Sequence, residues 1–228
     1  VDINHEDTFI QFAAVNFDAT TFEVWAPLLN GARLVLPSVG LLSIDTMAEL
    51  IKVHHVSVLW LTAGLFDLFV EHHLESLSSV KQLIAGGDVL PVRRVNQFNQ
   101  AFPNSVLING YGPTETTTFA CTYQVSKSEF IVHSVPIGRP INRTTVYILN
   151  ESLNFVPSGS VGELYIAGDG VALGYLHNKK LSNEKFIPDP FSKSGAMMYK
   201  SGDLVRCNEN GQIEFIGRKD NQVKIRGY

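Results

Sequence analysis

The sequence predicts an α/β protein: a parallel sheet covered by helices on both faces, followed by a small antiparallel barrel or sandwich. Two patterns carry this reading. Short apolar runs alternate with helical periodicity through the first half. After about residue 122 that periodicity fades, and strand-like runs are separated by Gly, Pro and Asn turns. At 228 residues and 45% hydrophobic, the chain can bury a core of either kind.

Phe9–Val15 reads as a strand and Asp18–Leu29 as a helix that ends before Asn30-Gly31. Ala32–Leu36 is a short strand closed by Pro37. Ser43 and Asp45 stand where a helix N-cap belongs, ahead of Met47–His54. Val56–Leu61 is a buried strand, followed by a helix around Leu65–His73. Gln82–Ala85 is a strand running into Gly86-Gly87. Pro91–Ala101 is a helix with proline in its first turn, and Val106–Asn109 is a further strand. Beyond a boundary near 125–135, the strands are Thr145–Leu149, Gly162–Ala167 and Gln212–Ile216.

Composition excludes several classes. A net charge of −4 with interspersed signs leaves no basic stripe for nucleic acid. The longest apolar stretch, Val56–Val70, is too short to cross a bilayer and is broken by Asp67. There is no signal peptide pattern. Cys121 and Cys207 lack the spacing of a zinc site or disulfide framework, which fits a cytoplasmic protein. A first residue of Val and a last run of QVKIRGY read as an internal segment of a longer chain.

Three segments carry chemistry. Asn109–Thr117, NGYGPTETT, follows a strand at the carboxyl edge of the expected sheet, where open α/β sheets bind ligands. Its glycines permit close backbone approach. Thr114, Thr116 and Thr117 offer hydroxyls to phosphate, Glu115 a hard oxygen for magnesium, and Tyr111 a flat face for a base. A polar strand-to-helix turn capped by threonine is the plainer alternative. Tyr199–Arg206, YKSGDLVR, holds Asp203 in a tight turn suited to a ribose diol, or is an ordinary hairpin turn. Gly217–Tyr228 is a charged strand in which Gly227 permits positive φ, or an edge strand with solvated charges. A fourth segment, GELYIAGDGVALGYL at Gly162–Leu176, has the spacing G-x-G-x3-G and no convincing crossover helix, so it is not a dinucleotide fingerprint.

In this order, the segments resemble the amino-acid adenylation domains of nonribosomal peptide synthetases, members of the adenylate-forming superfamily. Gln11-Phe12-Ala13 with Phe17-Asp18-Ala19, LIAGGDVLP at Leu83–Pro91 and PIGRP at Pro136–Pro140 extend the resemblance through nearly the whole chain. It implies a flavodoxin-like α/β subdomain over 1–130 and a distorted β-barrel subdomain over 131–217. Residues 218–228 would be the hinge and the start of a C-terminal subdomain. It also implies an adenylate-forming ligase using ATP and Mg2+, with Tyr111 against adenine, Thr114 at the phosphate and Glu115 at the magnesium ion. Asp203 would meet the ribose hydroxyls and Arg218 the ribose and phosphate region. Asp220 would be the hinge, and Gly227 would face the phosphopantetheine arm. Carrier-protein and condensation domains of the same synthetase would be partners, in cytoplasmic antibiotic biosynthesis. Leu173 stands where family members often have arginine. The family's phosphate loop and C-terminal lysine are expected outside this chain, so the fragment alone is expected to lack adenylation activity.

The resemblance also maps the amino-acid pocket onto Asp18, Ala19, Phe22, Trp60, Ile84, Gly86, Gly110, Thr118 and Phe119. Asp18, at a helix start, suits an α-ammonium group. The other eight positions carry no charge, so a charged side chain would be buried unpaired. The ordered set looks like the valine pattern of the family. Alanine would forfeit roughly 1.6 kcal/mol at about 0.8 per buried carbon. Isoleucine would be discriminated by only about 1–3 kcal/mol. For Phe22 or Trp60 alone, core packing explains the residue equally well. The alternatives are an acyl- or aryl-CoA synthetase-like ligase and a non-catalytic structural module. The pairs His54-His55 and His72-His73 read as helix-end residues.

Overall fold

The computed structural model describes residues 1–38, 40, 42–126, 130–193 and 195–220. Their contacts separate into two compact units that interleave along the chain: 1–109 with 124–135, and 110–123 with 136–220. The expected single boundary near 130 therefore stands beside divisions after Asn109, Tyr123 and Val135.

The first unit runs β1 (Thr8–Ile10), α1 (Ala19–Leu29), β2 (Arg33–Val35), α2 (Ile44–Val53), β3 (Val58–Thr62), α3 (Ala63–His72), β4 (Gln82–Gly86), α4 (Val92–Ala101) and the body of β5 (Val106–Tyr111). β1 pairs parallel with β2, and β3 parallel with β4; β4 neighbours β5. Sequence explains the helices. Ser43 caps α2, its Oγ accepting from the Thr46 amide at 3.1 Å. Thr62 caps α3 in the same way at 3.3 Å. Phe66, Phe69 and Val70 repeat at helical spacing and are fully buried, and Phe66 meets Phe98 of α4 edge-on at 6.2 Å. Each such side chain contributes roughly 1.5–3 kcal/mol on burial. His54, His72 and His73 lie at helix C-termini as expected.

One strand is shorter than its sequence suggests. The run expected to continue to Val15 stops at Ile10. The amides of Phe12 and Ala13 turn to the Glu23 carboxylate instead, at 3.1 and 2.9 Å, and so leave the ladder.

The second unit contains the end of β5, then β6 (Cys121–Gln124, its last residue counted with the first unit), β7 (Arg139–Pro140), β8 (Thr144–Leu149), β9 (Gly162–Gly168), α5 (Lys179–Lys185), β10 (Phe186–Pro188), β11 (Met197–Cys207) and β12 (Ile213–Arg218). Strands β8 to β12 form an antiparallel sheet in the order β10-β11-β9-β8, with β12 on β11, while β6 pairs antiparallel with β7 outside it. β9 is covered on both faces. Leu164 and Ile166 join one apolar cluster with Tyr111, Cys121, Val205 and Ile213, while Tyr165 and Ala167 join another with Leu149 and Met198.

Ser201-Gly202-Asp203 is not the hairpin turn that its composition suggests. It lies inside the eleven-residue β11, as a bulge where the register against β9 shifts between Lys200 and Leu204. Gly202, at φ +76°, supplies the left-handed residue that such a bulge needs. A short helix does follow GYL: α5, capped by Asn178. It leads into the antiparallel β10, so it is no parallel crossover.

Candidate functional site

In the second unit, the NGYGPTETT segment leaves β5 at Tyr111 and enters a 3-10 turn over Thr114–Thr116. Thr117 and Thr118 follow at φ +63° and +64°, a left-handed pair of β-branched residues that is costly for any chain. Hydrogen bonds hold it, among them Phe119 amide to Thr117 carbonyl (2.8 Å), Ala120 amide to Tyr111 carbonyl (2.8 Å), and Thr117 Oγ1 to Gly170 carbonyl (2.8 Å). Gly112 is required because a Cβ there would meet Ala120 N and Phe119 Cα at 2.8 Å.

Tyr111, expected against adenine, is buried, and its phenol donates to Asp203 Oδ2. Burial, then the Asp203 charge and hydrogen bond, raise its pKa well above the usual tyrosine value, so it is a neutral donor. Asp203 is 2% exposed. Its Oδ1 accepts from Arg218 Nη1 at 2.8 Å, and its amide donates to Ser201 Oγ at 3.0 Å. Arg218 also grips Asp220 with two parallel bonds, Nε to Oδ1 at 2.9 Å and Nη2 to Oδ2 at 2.7 Å. The Asp220 bonds are the leading cause of its raised pKa. The sequence-predicted residues Tyr111, Asp203, Arg218 and Asp220 thus form one connected network. Gly227 lies outside the described residues.

Glu115 accepts from the Tyr175 hydroxyl at 2.5 Å on Oε1, and its carbonyl accepts from the Ala172 amide at 2.9 Å. Thr114, beside it, is exposed. Among the described residues, no group of three His, Cys, Asp or Glu could hold a metal. One carboxylate beside hydroxyls fits a magnesium ion that keeps water and phosphate oxygens as its remaining ligands, rather than an ion caged by protein.

The first unit holds six of the expected pocket residues. Asp18 is the N-cap of α1 and makes no side-chain cap bond. Ala19 is buried, and Phe22 is half-buried with its ring 5.8 Å from Phe9. Trp60 on β3 is in register with Ile84 on β4, and Gly86 follows two residues on, so these three share one face. The other three, Gly110, Thr118 and Phe119, belong to the second unit. A cavity of about 420 Å³ in the first unit is lined by Phe12, Phe17, Glu23, Trp60, Thr62, Leu65 and Leu68 among others. Of the expected pocket residues, only Trp60 lines it.

Two notable residues escaped the sequence reading. Glu23 is 1% exposed, and its Oε1 has no hydrogen-bond partner. Desolvation raises its pKa to about 7 against the pull of the two amides. Its signal was available: Ala19, Glu23 and Pro27 form an i, i+4, i+8 buried face. Tyr175 is the other, since nothing local ties it to a residue sixty positions earlier.

With this geometry in hand, the family can be stated: the chain belongs to the AMP-binding enzymes, whose pattern matches residues 1–176. It is similar to a linear gramicidin synthase of Brevibacillus parabrevis, 52% identical over 227 residues, covering 99% of this chain and 3% of that protein. Malpibaldin synthetase of Mortierella alpina is 48% identical over 219 residues, covering 93% of this chain and 4% of that protein. Among solved structures, holo-PA1221 is described as an NRPS protein with adenylation and PCP domains bound to a vinylsulfonamide inhibitor. It matches with a TM-score of 0.94 at 35% identity, covering 100% of this chain and 40% of that one. The N-terminal subdomain of Klebsiella oxytoca NpsA in complex with 3-hydroxybenzoyl-AMSN matches with a TM-score of 0.85 at 32% identity, covering 95% and 55%. The chain therefore spans a few per cent of these curated relatives and about half of these structures. The expected α/β class, with a parallel sheet followed by an antiparallel one, is the fold these adenylation structures share.

Proposed function

We propose that this chain is part of an adenylation domain of a nonribosomal peptide synthetase and serves the activation of L-valine. In the first step a valine carboxylate oxygen attacks the α-phosphorus of ATP, and pyrophosphate leaves. In the second, a phosphopantetheine thiol on a carrier-protein domain attacks the valyl carbonyl, and AMP leaves. Carrier-protein and condensation domains are the partners this reading implies. The flavodoxin-like part is taken as 1–130 and the barrel as 131–217, with the hinge, at Asp220, opening a C-terminal subdomain.

The observation that carries the reading is the Tyr111–Asp203–Arg218 network. A buried, Arg-held carboxylate suits a ribose diol, which it can accept from twice. A buried tyrosine beside it offers the ring face for adenine. Thr114 would meet phosphate oxygens. Glu115 would hold Mg2+, which would neutralise phosphate charge as pyrophosphate departs. Asp18 would pair with the α-ammonium group. Valine is supported by the absence of charge at the expected pocket positions Ala19, Phe22, Trp60, Ile84, Gly86, Gly110, Thr118 and Phe119.

The aryl-acid alternative has one observation behind it, the 3-hydroxybenzoyl compound bound by the NpsA subdomain. ATP–pyrophosphate exchange by the intact domain that carries this segment separates the two. Exchange is expected to be fastest with valine, with leakage to isoleucine, and to collapse when Asp18 becomes Ala. Exchange driven by benzoates or fatty acids would overturn the assignment. Full activity after Asp203→Ala or Glu115→Ala would favour the structural-module reading.

A further inference from the structure

The segment that fails as a dinucleotide motif has another use. Three contacts tie Gly168–Tyr175 to the NGYGPTETT turn. The Ala172 amide reaches the Glu115 carbonyl at 2.9 Å, Thr117 Oγ1 reaches the Gly170 carbonyl at 2.8 Å, and the Tyr175 hydroxyl reaches Glu115 Oε1 at 2.5 Å. The approach is close enough that a Cβ on Gly170 would lie 2.6 Å from the Thr116 carbonyl oxygen.

Tyr175 is itself fixed. Its amide donates to Ser182 Oγ at 2.8 Å, and the Ser182 hydroxyl donates to the Asn178 carbonyl at 2.8 Å. Gly174 precedes it at φ +140°, with no room for a side chain because a Cβ would lie 2.8 Å from Ser182 Oγ. The Tyr175 ring packs edge-on against Phe186 at 5.4 Å, and Phe186 packs against Tyr199 at 5.2 Å. The Tyr199 hydroxyl stands 3.4 Å from that of Tyr175.

We propose that Tyr175 is a positioning residue for Glu115: its phenol fixes one carboxylate oxygen and thereby the orientation in which the group meets the nucleotide's metal ion. The inference rests on the reading of Glu115 as the magnesium ligand. A glutamate on a three-residue turn has several rotatable bonds that the turn itself does not fix. A phenol held by backbone, glycine and ring contacts supplies a restraint on them. Hydrogen-bond partners behind metal ligands commonly govern affinity by roughly 10–100-fold.

The test compares Tyr175→Phe, Ser182→Ala and Glu115→Gln in the intact domain that carries this chain. Mn2+ binding in the presence of ATP is read by electron paramagnetic resonance, alongside the Mg2+ dependence of exchange and a thermal melt. Tyr175→Phe should weaken Mn2+ binding roughly 10-fold and shift the Mg2+ half-saturation by a similar factor, while the amino-acid KM stays put. Ser182→Ala, which loosens only the Tyr175 anchor, should move metal binding the same way and less far. It decides the matter should Tyr175→Phe fail to fold. Normal Mn2+ binding in Tyr175→Phe, with Glu115→Gln impaired, would overturn the positioning role and leave the Glu115 reading intact. Normal binding in Glu115→Gln would overturn the reading itself, and the positioning role with it.

Discussion

Two buried acids, one in each unit, are held in opposite ways. In the second unit Asp203 takes bonds from Tyr111 and Arg218, and Arg218 holds Asp220 as well. In the first, Glu23 sits against an apolar cavity with one oxygen bonded to two amides and the other unpartnered. A low-dielectric site strengthens paired charges and penalises unpaired ones. Hence Arg218 holds its charge beside Asp203, while Glu23 drifts toward its neutral form and leaves the lining of the first unit's cavity nearly uncharged. That contrast fits the proposed division of labour between residues: Asp203 and Arg218 would meet the nucleotide, and Trp60 the side chain of an apolar amino acid.

Removing a partner from the Asp203 network should do the most damage. Asp203→Ala leaves Tyr111 without its acceptor and takes one carboxylate from Arg218. The expected loss is about 3–5 kcal/mol of stability, read from urea unfolding. A loss below about 1 kcal/mol would mean that the network contributes no more than an exposed ion pair.

Glu23 should give the next largest effect, with a distinctive sign. Its folded pKa, about 7, lies above the ordinary carboxylate value of 4.5. The folded state therefore holds the proton more tightly. The resulting stability is fully present below the unfolded pKa and is lost as pH rises toward 7. Its size is on the order of 3 kcal/mol. Glu23→Gln, neutral throughout, should flatten the stability profile across that window. An unchanged slope would show that Glu23 is ionised when folded.

A smaller effect is expected at Gly170. The cost of forcing a methyl toward the Thr116 carbonyl should be about 1–3 kcal/mol, because the atom it meets is backbone. Removing the α2 cap with Ser43→Ala should cost about 1 kcal/mol, again by urea unfolding. Equal losses at the two positions would mean that the turn can move aside.

The parts of the molecule that were legible are those written in contiguous residues. Alternating apolar runs marked the parallel strands β3 and β4, and Ser43 marked the start of α2. NGYGPTETT could be read as a ligand-facing turn because glycine, threonine and acid stand together. The features that stayed hidden depend on partners distant in sequence. A Ser-Gly-Asp triplet looks like a hairpin, and only the register between β9 and β11 reveals a bulge. Phe12 and Ala13 look like strand because they continue an apolar run, yet Glu23 takes their amides. Tyr175 reads as one aromatic in a glycine-rich stretch until the fold brings it to Glu115.

The division of labour is tested most directly by two variants assayed side by side in the intact domain, Asp203→Asn and Trp60→Ala. Asp203→Asn should raise the KM for ATP at least 10-fold, by the loss of a charge-assisted bond worth about 1.5–3 kcal/mol, and leave the ranking of amino acids unchanged. Trp60→Ala should change that ranking, admitting larger apolar side chains, and leave the KM for ATP within about twofold. If both variants alter ATP affinity and substrate ranking together, the separation drawn between the two sets of residues is wrong.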